Sequence, residues 1–203
     1  IYTNMSTTDI RYGSATVSAV SANQATYLGT IRTTLDGQTE FSFGKLSVAG
    51  QEAKLYVWNQ YGRVLFQATI QDSTDSWVVS ATDVIQMANN SSAMRASFVR
   101  GLDEDATFAV YNAAAVASAV GTNTTFGLGL DSITAFTGTF GLFSLPSGAA
   151  VQTGTKAGFY CGRPGLGYHF LHALERGSTA NTHYGDAGAP TFIQNGLLCL
   201  LQA

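Results

Sequence analysis

The sequence predicts an all-β protein: a jelly-roll-like sandwich of two antiparallel sheets, assembled as a trimer. Three observations lead there. Short apolar runs alternate with polar residues at period two almost throughout. Turn signals rich in Gly, Asn, Asp and Ser separate these runs at intervals of roughly 10–18 residues, the spacing of a sandwich or barrel. Charge is scarce: Asp, Glu, Lys and Arg make up 11% of 203 residues, against about 25% in an average soluble domain. Such a chain presents a neutral polar surface or buries part of it against other copies.

The elements follow in order. Residues 1–24 are poor in large apolar side chains and read as an arm or a first edge strand; residues 25–203 read as one domain. The opening "IYTNMSTTD" reads as a processed or excised start. "ATYLGTIRTT" (25–34) is a strand ended by the Asp36–Gly37 turn signal. "TEFSFGKLSVAG" alternates through Phe41 and Phe43, then Leu46 and Val48, with a bulge expected at Gly44. Leu55–Trp58 and Val64–Ile70 are strands around a turn at Asn59–Gly62. Further strands are "DSWVVSATDV", "MRASFVRGL", "ATFAVYN", "TTFGLGLD", "TGTFGLFSL", "AGFYCG", "YHFLHALE" and "FIQNGLLCLLQA". "NAAAVASAVG" (112–121) has helical composition, with Asn112 as a cap and Gly121 as a stop. Its two-turn length between strands favours strand or loop. "VIQMANNSSAM" (84–94) is expected to hold one helical turn.

Composition narrows the function classes. Ten Lys and Arg are scattered without a run, and the net charge is −3, so no nucleic acid is expected as a partner. No run of 18 apolar residues occurs, so no membrane insertion is expected. Cys161 and Cys199 read as two buried thiols, or as one bridge outside a reducing compartment.

The stretch "GLGYHFLHALERGSTANTHYGD" (165–186) holds all three histidines, with Glu175 and Asp186 close by. Glycine and proline around residues 168–174 argue a strand. His169 and His172, three apart, then point to opposite faces and cannot chelate one ion. A cross-strand pairing of either with His183 stays open. The three read most simply as polar strand residues satisfied by neighbours, and no metal is expected. Asp72, Asp75, Asp103, Glu104, Asp105, Asp131 and Asp186 give no distinctive pair for glycoside hydrolysis. The "DED" at 103–105 reads as a surface turn. No GxSxG elbow and no calcium-loop spacing occur. No catalytic residue is assigned, and a non-enzyme is expected.

Several blocks resemble bacteriophage virion proteins of the tail-fibre and appendage kind: "YLGTIRTT" (27–34), "WNQYGRV" (58–64), "TDSWVVSAT", "QMANN", "RGLDEDA" (100–106), "FGLGLDS" (126–132), "GYHFLHALERG" (167–177) and "YGD" (184–186). They are collinear over about residues 27–186. The resemblance implies a structural virion protein, on the particle surface, with no cofactor and with other virion proteins as partners. Residues 1–24 lack a counterpart in it. The C-terminal end, "YHFLHALE" followed by "TFIQNGLLCLLQA", is similar at fold level to trimeric jelly rolls such as tumour necrosis factor and C1q heads.

Two sets of functional residues follow. A fibre or spike domain that binds a cell-surface glycan or protein would stack sugar rings on exposed aromatics. Trp77, Tyr61, Trp58 and Tyr184 are the candidates, with Asp186 as a hydrogen-bonding partner. In "GLLCLL" (196–201), Leu197, Cys199 and Leu201 share one strand face, and Leu198 and Leu200 the other. One set fills the core, and the other would be bare on a monomer unless the arm, residues 1–24, covers it. Leu197, Leu198, Leu200 and Leu201 are therefore expected at a homotrimer interface. A capsid-decorating or adaptor protein is the alternative reading, and a glycan-degrading enzyme a third.

Overall fold

The computed structural model describes residues 8–12, 15–20, 28–117, 119, 122–138, 141–144, 152–186 and 193–202. Residues 1–7, 13–14 and 21–24 of the expected arm, 25–27 of the first expected strand and the expected helix stop at Gly121 lie outside these.

Nearly every described element is a strand. β1 (Thr8–Tyr12) and β2 (Ala15–Val20) form a hairpin with each other. β3 (Gly29–Ile31), β4 (Thr33–Leu35) and β5 (Gln38–Thr39) are short. β6 (Phe41–Ser47), β7 (Gln51–Leu55), β8 (Val57–Asn59) and β9 (Leu65–Asp72) follow. β10 (Trp77–Val78), β11 (Gln86–Met87) and a 3-10 turn (Ala88–Asn90) lead to β12 (Arg95–Arg100). β13 (Thr107–Ala117), β14 (Asn123–Leu130), β15 (Gly141–Ser144) and β16 (Gln152–Gly162) come next. β17 (Gly167–Arg176), β18 (Asn181–Tyr184) and β19 (Gly196–Gln202) complete the set.

The sandwich has two layers. One orders β9–β19–β13–β16, with β18 and β10 continuing beside β13. The other orders β6–β7–β12–β17–β14–β15, with β11 also on β17. They join where β6 leaves β7 and runs parallel to β9 through Leu46–Gln71 and Ser47–Asp72. The expectation of two purely antiparallel sheets is thus corrected: β6–β9 and β7–β12 are parallel. Between β7 and β12 the chain passes through β9 in the opposite layer, so it re-enters running the same way.

Period two sorts the side chains. Ala53, Leu55, Ala96, Phe98, Leu171, Ala173, Phe126 and Leu128 face inward from one layer. Ala68, Ile70, Ala109, Tyr111, Ala113, Leu197, Cys199 and Leu201 meet them from the other. Full burial of one Leu or Ile is worth about 1.5–3 kcal/mol. The small alanines of β13 face larger residues opposite, so the two layers interdigitate.

Local details depart from the sequence reading at identifiable points. Gly44 is no bulge: the β6–β7 register runs unshifted from Phe41–Leu55 to Lys45–Gln51. Gly44 instead has φ +74°, and a Cβ there would lie 2.6 Å from Ile70. It marks the point where β6 changes partner. The Leu55–Trp58 strand breaks at Tyr56, whose N–H donates to the Glu40 carbonyl. The alanine-rich run is strand through Ala117, held between β16 on one edge and β19 and β18 on the other. Tertiary pairing overrides helix propensity here. The expected helical turn is met only as a 3-10 turn at Ala88–Asn90 in which Asn89 and Asn90 have positive φ (52° and 50°), so the chain turns there without a right-handed helix.

Candidate functional site

The histidine-rich stretch builds part of the sandwich interior. β17 places His169 inward and His172 outward, as alternation requires. His183 lies on β18, opposite Trp77 of β10 and Ala115 of β13. It meets neither other histidine; the pairing left open by the sequence does not form, because β18 joins the other layer. Its partner is Glu175, with Nδ1 2.8 Å from Oε2 and both side chains fully buried. Trp77 Nε1–H donates to both Glu175 oxygens (3.0 and 2.9 Å), and the Gln86 amide donates to Oε1 (2.9 Å). This carboxylate ties β10, β11, β17 and β18 together. Among the described residues, no three His, Cys, Asp or Glu side chains gather to hold an ion.

A second buried carboxylate corrects the reading of "DED" as a surface turn. Glu104 is exposed, but Asp105 is buried. Asp105 accepts from Trp58 Nε1 (3.0 Å), pairs with Arg63, and lies 3.7 Å from Arg100 Nη1. Arg100 is 1% exposed. Burial, the largest cause, pushes its guanidinium down to about 10.

The outer face of β6–β7–β12–β17 is different in kind: it is half-buried at Lys54, Glu52, Arg95 and Phe170 and enclosed at Ser97. Ser42, Lys54, Ser97 and Phe170 form one row across the four strands. Arg95 Nε–H and the Ser97 hydroxyl both donate to Glu52 Oε1 (2.8 and 2.5 Å), and the Tyr168 hydroxyl donates to Ser97 Oγ (3.2 Å). Lys54 pairs with Glu40 at 2.5 Å. Arg95 lies over the Phe170 ring, and Arg32 stacks on Tyr168, 3.5 Å from its centroid. Beside this ladder is a depression of about 540 Å³ lined by Thr39, Glu40, Ser42, Gln51, Glu52 and Lys54. Its cations and carboxylates are matched, so it offers fixed donors and acceptors with little net charge. It can hold a neutral, hydroxyl-rich molecule.

His172 lies under one end of this face, opposite Arg95. Its Nδ1–H donates to the Ala173 carbonyl (2.9 Å), and burial lowers its pKa from the usual 6.5. The unfolded imidazole therefore takes up a proton more readily than the folded one. Its contribution to stability is complete above the unfolded pKa and is lost as pH falls below about 6.5. Urea midpoints measured between pH 7 and pH 5 are expected to fall, and to fall less in His172→Asn. An unchanged pH slope in that variant would refute the assignment.

The expected ligand residues are not gathered at one place. Trp58, expected as an exposed platform, is 1% exposed and bonded to Asp105. Trp77 is half-buried and engaged by Glu175. Tyr61 is 70% exposed on the turn after β8. Tyr184 and Asp186 are half-buried at the end of β18, where the Asp186 amide donates to the Thr74 carbonyl. Arg95, Glu52, Lys54, Tyr168 and Phe170 were not singled out as site residues. Strand parity puts Tyr168 and Phe170 on one face of β17, but their alignment with β12 and β7 is tertiary.

The C-terminal strand divides as its alternation demands. Leu197 and Leu201 lie in the chain's own core, which removes them from any interface; Leu198 and Leu200 are half-buried on the outer face. The cysteines divide too. Both are free; Cys161 is exposed and Cys199 buried, so the reading of two buried thiols is corrected for Cys161. Burial pushes the Cys199 thiol well up.

Fold and surface together define an all-β sandwich whose buried carboxylates hold structure and whose outer face carries a half-buried polar and aromatic ladder. No protein-family model matches the chain, and no curated protein matches its sequence.

Proposed function

We propose that this is a non-catalytic recognition domain on the surface of a phage-like particle, binding a neutral cell-surface glycan through the outer face of β6–β7–β12–β17. The ladder of Ser42, Lys54, Glu52 and Arg95 beside Tyr168 and Phe170, with buried Ser97 holding Glu52 from beneath, carries the reading. A sugar ring offers hydroxyls that both donate and accept, and adjacent Lys–Glu and Arg–Glu pairs meet both needs. The edge of Tyr168, 37% exposed, gives apolar contact. The balanced charge disfavours a phosphate or a polyanion. The non-catalytic part rests on the engagement of the acid–base groups: Glu175, Asp105 and Asp131 each already hold internal partners.

A glycan array followed by titration with the selected oligosaccharide tests this. Glu52→Gln and Lys54→Ala are expected to weaken binding by about tenfold or more with unchanged circular dichroism. Absence of binding to every neutral glycan, or binding indifferent to both substitutions, would sink the proposal. Release of new reducing ends would overturn its non-catalytic part.

A further inference from the structure

The opposite side of the sandwich carries a surface of another character. Leu65, Phe108, Val110, Phe159, Leu198 and Leu200 point outward from β9, β13, β16 and β19. The register places them side by side: Phe108 beside Leu200, Val110 beside both Leu198 and Phe159. Leu65 is 60% and Phe159 46% exposed. Among the described outward positions of these four strands, none is charged. The other layer, by contrast, carries the half-buried charges Lys54, Glu52 and Arg95 on its outer side.

We infer that this charge-free face is the surface through which the chain associates with further copies of itself. Two observations select a copy of this chain as the occupant. The first is self-complementarity. In self-association any charge on the face is buried in every copy and needs an opposite charge placed to answer it; this face carries none that needs answering. The polar positions that interrupt it are Gln67, Thr69, Gln71, Asn112, Thr155 and Gln202. Amides and hydroxyls carry donor and acceptor together, so each can pair with its counterpart in another copy. The second is area. At about 4.8 Å between strands and 3.4 Å per residue, the four strands cover roughly 600 Å² of flat sheet. Side-chain relief raises this toward the ~800 Å² per partner of a standard stable interface. The oligomer expected from the C-terminal strand alone is thereby given a face. Leu198 and Leu200 lie at its centre, while Leu197 and Leu201 stay in each subunit's own core.

Cys161 sits on this face beside Phe108, and it is the accessible thiol of the two. It serves as a reporter. The full chain is measured by light scattering over a concentration series, and alkylation of Cys161 is timed in parallel. The expected wild-type mass is a multiple of 21.4 kDa. Phe159→Lys and Leu65→Lys, both at well-exposed positions that tolerate a polar residue, are expected to weaken association by about tenfold or more and to speed Cys161 alkylation. Leu200→Asp should do so more strongly, and the two lysine variants keep the test valid if it misfolds. A wild-type chain of single mass at every concentration overturns the inference, including the case in which another part of the chain shields Cys161. An oligomer unmoved by the lysine variants, with Cys161 freely alkylated, overturns it too. Glycan binding uses the other layer, so a monomeric variant that still binds sugar separates this inference from the proposed function.

Discussion

Asp105→Ala is expected to lower the stability of the fold by about 3–5 kcal/mol, the cost of leaving a buried ion without its counter-charge. Arg63 can turn to solvent and keep Glu104 when Asp105 is lost, since its side chain is partly exposed. Arg100 cannot: it is sealed in the sandwich, with Thr107 accepting from Nη2 and Asp105 as its nearby carboxylate. Trp58 Nε1–H loses its acceptor in the same step. Asp105→Asn keeps the shape and an acceptor oxygen, so an intermediate loss is expected. Glu104→Ala provides the control. It sits one residue away and bonds the same Arg63, but it is exposed. A surface pair of this kind contributes about 0–1 kcal/mol. Urea denaturation followed by tryptophan fluorescence measures all three. Equal losses for Glu104→Ala and Asp105→Ala would show that Arg100 does not depend on Asp105.

Glu175→Ala is expected to cost a similar amount, about 3–5 kcal/mol, for a different reason. Here one buried carboxylate answers groups on three other strands: Trp77 and Gln86 donate to it, and His183 lies against it at ion-pair distance. Removing it takes the acceptor from half-buried Trp77 and Gln86 and leaves fully buried His183 without its charged partner, and a buried polar group left unsatisfied costs about 1–3 kcal/mol. The loss should therefore be larger than for Gln86→Ala, which takes away one donor. Replacing Glu175 and His183 together with leucine and phenylalanine is expected to recover part of the stability, because an apolar pair of similar volume leaves less unsatisfied. A double variant no more stable than Glu175→Ala would place the weight on Trp77 and Gln86 instead.

Both carboxylates show how far the sequence reaches. Alternation along "YHFLHALER" puts His169, Leu171, Ala173 and Glu175 on one side and Phe170, His172 and Leu174 on the other. That parity holds in the structure. It also means that a glutamate in a row of core residues needed buried partners. The partners were not legible: Trp77 is 98 positions away from Glu175 and Gln86 is 89. The "DED" cluster reads as a surface turn, and Asp103 and Glu104 are exposed while Asp105 is buried. Only the approach of Arg63 and Trp58, more than 40 positions away, draws it inward.

The candidate recognition face shows the same division. Tyr168 and Phe170 were visible as aromatics of one strand face, yet attention to tryptophan pointed elsewhere. Large indoles are the aromatics most readily enclosed in a core, and Trp58 became one. The glycines of "FGLGLD" are a further case. A Cβ at Gly129 would lie 2.2 Å from the Ser132 carbonyl, and one at Gly127 would lie 2.5 Å from the Phe136 ring. They let residues 131–138 fold back over β14, a requirement that strand patterning does not announce.

What the sequence by itself determined is the all-β class, most strand positions, the face of each strand residue and the two-sided apolar character of the last strand. These are local properties, set by a period of two and by turn chemistry within a few residues. What only the tertiary structure decided is which strands are neighbours, which carboxylates are enclosed, and which outer face is charged and which is not. Those depend on contacts between residues far apart in the chain, where many pairings satisfy the same alternation and packing selects one.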